Sequence, residues 1–278
     1  MNTPEASGWS AFAITHLAAA RRHYAGGSPR GISAADDSLT APFERVALRI
    51  YAPTTSAPPR TSPASPTAVI VYFPDSDEFA ALRRRAGEWL CGSLVRRLGS
   101  VEVVRAEIGE GTADQREAAY QVVVWAAGRH PTAQLAVLGA GTGGALAARA
   151  AMIARDRRTP HLERQALISP DFNLLIGPPA TASAFVASIV ARLSELPATL
   201  LQRREQSAAQ LGGENLAVLL REAGVAVREI EYPETSVSWA AYPKAARYSG
   251  RALDDLVAFF HRGLIDDGFD VVPAWNVH

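Results

Sequence analysis

The chain has 278 residues, of which 48% are hydrophobic and 20% are charged. A chain of this length and apolar content can bury roughly three-quarters of its unfolded surface in one core, which favours a single domain over residues 1–278. Basic and acidic residues number 28 each, so no net field attracts nucleic acid or an anionic membrane surface. The one cysteine, Cys91, excludes an internal disulfide and a thiolate metal cluster. We expect a small buried residue at Cys91, no metal site and no cofactor.

The N-terminal part of the chain is predicted to be helical. Residues 1–10 lack a cationic start followed by an apolar stretch, and no later apolar run is long enough to cross a bilayer, so we expect a soluble cytoplasmic protein. Trp9, Phe12, Leu17 and Tyr24 recur at helical spacing before Gly26. Residues 1–40 are therefore assigned to an N-terminal helical or lid extension.

From residue 46 onward, strand patterns alternate with helical patterns. Val46, Leu48 and Ile50 alternate with polar residues, as in a strand with one wet face, and 54–66 is a loop rich in Pro, Ser and Thr. Strands alternating with helices predict a mostly parallel central sheet with helices on both faces. The later strands are expected at 68–73, 101–104, 134–138, 166–169, 198–201 and 225–232, and the helices at 78–98, 113–127, 145–156, 180–193, 213–223 and 251–262.

The most informative segment is the glycine-rich turn that follows the predicted strand 134–138. A strand, a sharp turn and a helix are the setting in which a G-x-S-x-G serine is presented as a nucleophile. Here the turn reads Gly139-Ala140-Gly141-Thr142-Gly143, and the position of the serine is occupied by Gly141. Gly141 has no side chain with which to attack a substrate.

Five segments, in order, resemble the hormone-sensitive-lipase type of α/β-hydrolase esterase. They are Arg49-Ile50-Tyr51-Ala52-Pro53, the strand 68–73, the turn 139–146, the strand 196–201, and 221–225 followed by Tyr232-Pro233. In that family these segments form the second strand, the strand before the oxyanion loop, the nucleophile elbow, the strand before the acid and the approach to the histidine. The resemblance covers 45–264 and implies an α/β-hydrolase fold with a shortened lid segment at 170–196.

The positions that carry catalysis in that family hold other residues in this chain. The resemblance aligns the His-Gly-Gly-Gly oxyanion loop with 74–77, the serine with Gly141, the acid with Ser207 or a neighbour of it, and the histidine with Val237. It therefore implies that the catalytic triad and the oxyanion loop are lost together. The residues expected to line the former cleft are Pro74, Asp75, Ser76, Asp77, Gly141, Thr142, Glu205, Ser207, Val237 and Trp239.

Two other interpretations of the glycine-rich turn remain open. Thr142 would be a displaced nucleophile if it stood at the apex of the turn, but a β-branched residue strongly resists φ > 0 there; we expect it directly after the apex, facing the cleft. The glycines at 139, 141 and 144 also match the dinucleotide-binding fingerprint. That motif normally follows the first strand of its fold, whereas three predicted strands precede it here.

Three functions are compatible with the sequence. The first is a non-hydrolytic protein that binds an unknown small molecule or a protein partner, either as a homo-oligomer or with an active paralogue. The second is a repurposed lyase, cyclase or isomerase that uses Asp75, Asp77, Glu205 or Glu107 for acid–base chemistry. The third is a weak hydrolase with an unrecognised set of residues. The acidic residues at 75–78 can equally form a polar turn that caps the following helix.

Overall fold

The computed structural model describes residues 26–40, 45–54, 65–75, 80–109, 114–171, 175, 182–204, 216–232, 239–241, 243–244 and 246–266. In these residues, eight strands form one sheet in the order β1-β2-β4-β3-β5-β6-β7-β8. The strands are β1 Ile32–Thr40, β2 Arg45–Pro53, β3 Ala68–Phe73, β4 Val101–Glu107, β5 Gln134–Ala140, β6 Arg164–Ile168, β7 Ala198–Arg204 and β8 Val227–Tyr232. β2 is antiparallel to both of its neighbours, β1 and β4, and all the other strand pairs are parallel.

The described helices cover both faces of this sheet. They are α1 Ala80–Leu98, α2 Gln115–Arg129, α3 Thr142–Arg157, α4 Ala182–Leu193, α5 Leu216–Glu222 and α6 Ser249–Leu264. Residues of α1 and α6 belong to one buried apolar cluster, and residues of α2, α3, α4 and α5 belong to the other. β3 lies between the two, with Val69 and Val71 in one cluster and Ile70 and Tyr72 in the other. The predicted mostly parallel sheet with helices on both faces is confirmed.

The assignment of residues 1–40 as a helical extension is wrong at its end. Residues 32–40 form the edge strand β1, which pairs with β2 along its whole length, from Ile32 opposite Pro53 to Thr40 opposite Arg45. β1 is mostly exposed, so it needs no alternation of apolar side chains, and its sequence carries no strand signal. The predicted helix at 9–24 lies outside the described residues.

The parallel strands bring three carboxyl ends together at one edge of the sheet. β5 lies between β3 and β6, and the pairs Phe73 with Gly139 and Ile168 with Ala140 mark where the three strands end. Ligand sites of open parallel sheets lie at this edge. None of the described helices is long and apolar enough to cross a membrane.

Candidate functional site

The turn between β5 and α3 has a backbone conformation that only glycine adopts without strain. Gly141 has φ 54° and ψ −122°, and α3 begins at the next residue, Thr142. The Gly141 N–H donates to the Ile168 carbonyl at 2.9 Å, and the Asp171 N–H donates to the Gly141 carbonyl at 2.9 Å. Two hydrogen bonds to β6 and the loop after it therefore hold the apex at Gly141, with Thr142 directly behind it.

The neighbouring glycines allow the start of α3 to pack directly on the strand ends. A Cβ atom added to Gly143 would overlap the carbonyl oxygens of Phe73 and Pro74, and one added to Gly139 would lie 2.6 Å from the Gly144 Cα. At both places, the backbone of the turn or helix start lies directly against another backbone segment, which leaves no room for a Cβ atom. Packing of strand against helix therefore accounts for these glycines without a bound phosphate.

The carboxylate of Asp75 lies over the apex. The register of β3 with β5 pairs Phe73 with Gly139, so Asp75, two residues further on, is level with Gly141. Asp75 Oδ1 accepts hydrogen bonds from the Thr142 N–H at 3.2 Å and the Thr142 hydroxyl at 3.0 Å. A Cβ atom on Gly141 would lie 2.6 Å from Oδ1 and still closer to Oδ2. Asp75 thus fills the space that a nucleophile's side chain would need.

This contact also uses a donor on which acyl-transfer chemistry depends. In nucleophile elbows, the N–H after the nucleophile and an N–H from the loop after β3 form the oxyanion hole. Here a carboxylate from that same loop accepts the Thr142 N–H. An anion at a helix N-terminus stabilises the helix by roughly 0.3–1 kcal/mol. The same charge would repel both an oxyanion and the pyrophosphate of a dinucleotide, which argues against the dinucleotide fingerprint.

The other residues expected in the cleft lie in several places. Pro74 is half-buried beside Asp75. Trp239 is 3% exposed and packs edge-to-face on Trp89, with 6.4 Å between the ring centroids. Glu107 ends β4, and its Oε1 lies 3.2 Å from Arg105 Nη2. Ser76, Asp77, Glu205, Ser207 and Val237 lie outside the described residues.

The described histidines lie at the opposite edge of the sheet. His130 and His161 precede β5 and β6 and contact Glu102 at 3.1 Å and Glu163 at 3.4 Å. His261 is in the last turn of α6, 3.1 Å from Asp266, and the same turn abuts the first residue of β6. Between His161 and His261 the sequence contains no further histidine, so the segment aligned with the family's base cannot supply one.

A buried polar network beside the candidate site was not foreseen from the sequence. Gln202 Nε2 donates to the Tyr232 hydroxyl at 3.2 Å and to the Ala252 carbonyl at 2.8 Å, and the Tyr232 hydroxyl donates to Asp255 at 2.8 Å. Burial, followed by the Asp255 carboxylate, raises the pKa of Tyr232 above its usual range, so the phenol stays protonated. The network ties β7, β8 and α6 together, and only an apolar run interrupted by Gln202 marked it in the sequence.

No protein-family model matches this chain, and no curated protein matches it significantly in sequence. Solved structures do resemble it. An esterase of Pyrobaculum calidifontis has a TM-score of 0.67 at 19% identity, over 93% of this chain and 94% of that one. A thermostable esterase from Pseudomonas putida has 0.67 at 18%, over 95% and 93%. An ester-hydrolase from the Lake Arreo metagenome, complexed with a bipyridine phosphonate derivative, has 0.66 at 15%, over 91% and 90%.

The likeness extends over nearly the whole of each chain and agrees with the strand order and with the turn after β5. At below one-fifth identity, it concerns the arrangement of the backbone and not the chemistry of the site. The chain has the α/β-hydrolase fold, and its structural neighbours include esterases.

Proposed function

We propose that this chain descends from hormone-sensitive-lipase-type esterases, has lost serine-dependent hydrolysis, and uses the retained framework to bind a small molecule or a protein partner. The observation that carries the proposal is the carboxylate of Asp75, which occupies the space over Gly141 and accepts the Thr142 N–H. An esterase needs a nucleophile's side chain in the space over Gly141 and an empty anion site at the Thr142 N–H. The Asp75 side chain takes the place of both.

The residues at the aligned positions of the catalytic base and acid also support this proposal. A serine or threonine hydroxyl becomes a nucleophile only when a base takes its proton, and the base needs an orienting acid. Val237 stands at the aligned histidine position and Ser207 at the aligned acid position. The Thr142 hydroxyl and the Thr142 N–H both donate hydrogen bonds to Asp75 Oδ1, so Thr142 has a structural role without any catalysis.

A second candidate function is acid–base catalysis by Asp75 in a lyase, cyclase or isomerase. The observation that favours it is the position of the carboxylate, which is half-buried at the carboxyl edge of the sheet and held by two hydrogen bonds on one oxygen. A positioned carboxylate can move a proton of a substrate. Glu107 is a weaker candidate because Arg105 already pairs with it.

The first experiment is an ester-hydrolysis assay on the full chain with p-nitrophenyl acetate and butyrate, together with labelling by a fluorophosphonate probe. We expect hydrolysis at the rate of the buffer and no labelling, because no residue stands where the nucleophile would be. The Thr142→Ala variant is the matched control. Hydrolysis that the variant retains would overturn the proposal, and hydrolysis that it loses would make Thr142 the nucleophile.

A second experiment separates binding from acid–base catalysis. Asp75→Asn keeps an acceptor for Thr142 but removes the charge. Wild type and variant are incubated with a metabolite extract, and the products are compared by mass spectrometry. We expect no compound to be consumed by wild type. A compound consumed by wild type and spared by the variant would establish the acid–base enzyme instead.

A further inference from the structure

A second cleft lies at the amino edge of the sheet, away from the elbow. It has a volume of about 440 Å³ and is formed by the ends of α3 and α4 and the chain leading into β6 and β7. Its floor includes Ala154, Leu162 and Leu196, which are buried. α3 runs from the elbow to this cleft over 16 residues, or roughly 24 Å at 1.5 Å per residue. A cleft of this size falls within the usual range for small-molecule sites, about 300–1,000 Å³.

Two lining residues of the cleft have an unusual backbone conformation. Arg158 has φ 54° and Glu195 has φ 57°. Among the residues that the structure describes, three non-glycine residues have positive φ, and two of the three line this cleft. Such conformations cost free energy for residues with a Cβ atom, and residues that adopt them cluster at functional sites.

The other helix ends of the same chain show what this position normally holds. Gly99 follows α1 with φ 82°, and Gly224 follows α5 with φ 79°. When a helix ends with a residue in the left-handed conformation, that residue is usually glycine. A residue with positive φ also follows each of the two helices that end at the cleft. In both cases it is charged and not glycine: Arg158 after α3 and Glu195 after α4.

The charges of these two residues are opposite and face solvent. Arg158 and Glu195 are both exposed, and neither side chain forms an ion pair or hydrogen bond with any part of the chain that the structure describes. The adjacent Arg155, by contrast, is engaged: its Nη1 donates to the Arg192 carbonyl at 2.8 Å and so fixes the end of α4 against α3. The cleft therefore has an apolar floor. Among the residues that the structure describes, its lining carries Arg158 and Glu195 as charges of opposite sign without an ion pair, beside Arg155, which bonds to the Arg192 carbonyl, and Glu163, which contacts His161.

We propose that this cleft binds a small zwitterion with apolar side chains, of the class of short apolar peptides with free termini. The Arg158 guanidinium binds the carboxylate, since guanidinium and carboxylate match in a bidentate pair. The Glu195 carboxylate binds the ammonium group. The floor around Leu162 and Leu196 receives the apolar side chains.

The test uses calorimetric titration of the full chain with the dipeptide leucyl-phenylalanine. Its N-acetylated and C-amidated analogues each lack one charge. We expect the dipeptide to bind and each analogue to bind at least about tenfold more weakly, a loss of about 1.4 kcal/mol. No binding of the dipeptide at up to about 10 mM, or equal binding of all three, would overturn the proposal.

Substitution by glycine separates binding from folding. In Arg158→Gly and Glu195→Gly the backbone strain is relieved, so we expect a melting temperature equal to or above that of wild type together with at least about tenfold weaker binding of the dipeptide. The control variants are Arg96→Gln on α1 and Glu222→Gln on α5, exposed charges outside the cleft, which should bind as wild type does. Unchanged binding in both glycine variants would overturn the proposal. So would an equal loss of binding in the control variants.

Discussion

Gly141 and Asp75 depend on each other. The carboxylate of Asp75 fits over the apex only because residue 141 has no Cβ atom, and the apex has φ 54°. A serine at this position would meet both a backbone conformation that disfavours it and a carboxylate in the place of its side chain. The glycine at 141 and the carboxylate at 75 are thus structurally coupled.

This dependence predicts that Gly141→Ser destabilises the protein. Strain at the apex and overlap with Asp75 together should lower the free energy of unfolding by about 2–4 kcal/mol, measured by urea denaturation. Gly224→Ser is the matched control, because Gly224 has φ 79° but open space around its Cβ position, so it should lose only about 1 kcal/mol. Equal losses in the two variants would mean that Asp75 does not oppose a side chain at 141.

The double variant Gly141→Ser with Asp75→Gly measures the overlap directly. Removing the carboxylate should restore part of the stability lost in the single variant, which gives a favourable coupling of about 1–3 kcal/mol in the double-mutant cycle. Additive effects would contradict the overlap. We expect no ester hydrolysis in the double variant, since the aligned base position holds Val237.

The sequence predicted the apex but not its occupant. The spacing of small residues from Gly139 to Gly144 is sufficient to place Gly141 at the turn, because only a strand, a turn and a helix suit that pattern. The position of Asp75 depends on the register between β3 and β5, which local patterns do not contain. The sequence placed Asp75 among the residues of the former cleft, whereas its hydrogen bonds with Thr142 required the structure.

At the scale of elements, the sequence predicted a strand that buries apolar side chains but missed a strand that is held mainly by backbone hydrogen bonds. β3 is buried on both faces and was found from its apolar run. β1 is held mainly by its ladder with β2 and buries few side chains, so its sequence resembles a polar loop. The ends of helices were shifted by a few residues because caps, and not the apolar pattern, decide them.

The start of α2 shows such a cap. The Asp114 carboxylate accepts hydrogen bonds from the backbone N–H groups of Arg116 and Glu117, both at 3.1 Å. We expect Asp114→Ala to lower the free energy of unfolding by about 1 kcal/mol, measured by urea denaturation at neutral pH. Asp114→Asn, which retains a capping oxygen, is the control and should lose less. An Asp114→Ala variant as stable as wild type would show that the cap contributes nothing.

The same cap predicts a pH dependence. The hydrogen bond from the Glu117 N–H lowers the pKa of Asp114 below its usual value. A carboxyl group whose pKa is lowered by folding contributes stability above its unfolded pKa, and this contribution is lost as the pH falls through the folded value. The difference in stability between wild type and Asp114→Asn should therefore shrink below about pH 4. A difference that stays constant down to pH 2.5 would contradict the assignment.

At the scale of the whole molecule, the two edges of the sheet differ in what they offer. At the carboxyl edge the Asp75 carboxylate covers Gly141 and accepts the Thr142 N–H, while the cleft at the amino edge has exposed charges on Arg158 and Glu195. The turn at 139–146 follows a predicted strand, so its place at the carboxyl end of that strand is implicit in the sequence. The second cleft depends on how the ends of α3 and α4 meet, so no sequence motif announced it.

The single thiol reports on opening of the whole fold. Cys91 is fully buried between α1 and the sheet, and burial raises its pKa to about 12. Only the thiolate attacks the disulfide of Ellman's reagent, so the native protein should react with it only through states in which α1 leaves the sheet. We expect one thiol to react in urea, with the same midpoint as the loss of circular dichroism, and very slow reaction without urea.

The destabilised variants turn this expectation into a quantitative test. Suppose that Cys91 reacts only after global unfolding and that refolding is fast compared with the reaction. A loss of about 1 kcal/mol in the free energy of unfolding in Asp114→Ala should then accelerate labelling of Cys91 roughly fivefold under native conditions. This holds although Asp114 lies on the other face of the sheet from α1. A local opening of α1 would instead leave the rate unchanged in this variant. If labelling is fast and its rate changes neither with urea nor with Asp114→Ala, α1 moves independently of the rest of the core and the fold does not unfold as one unit.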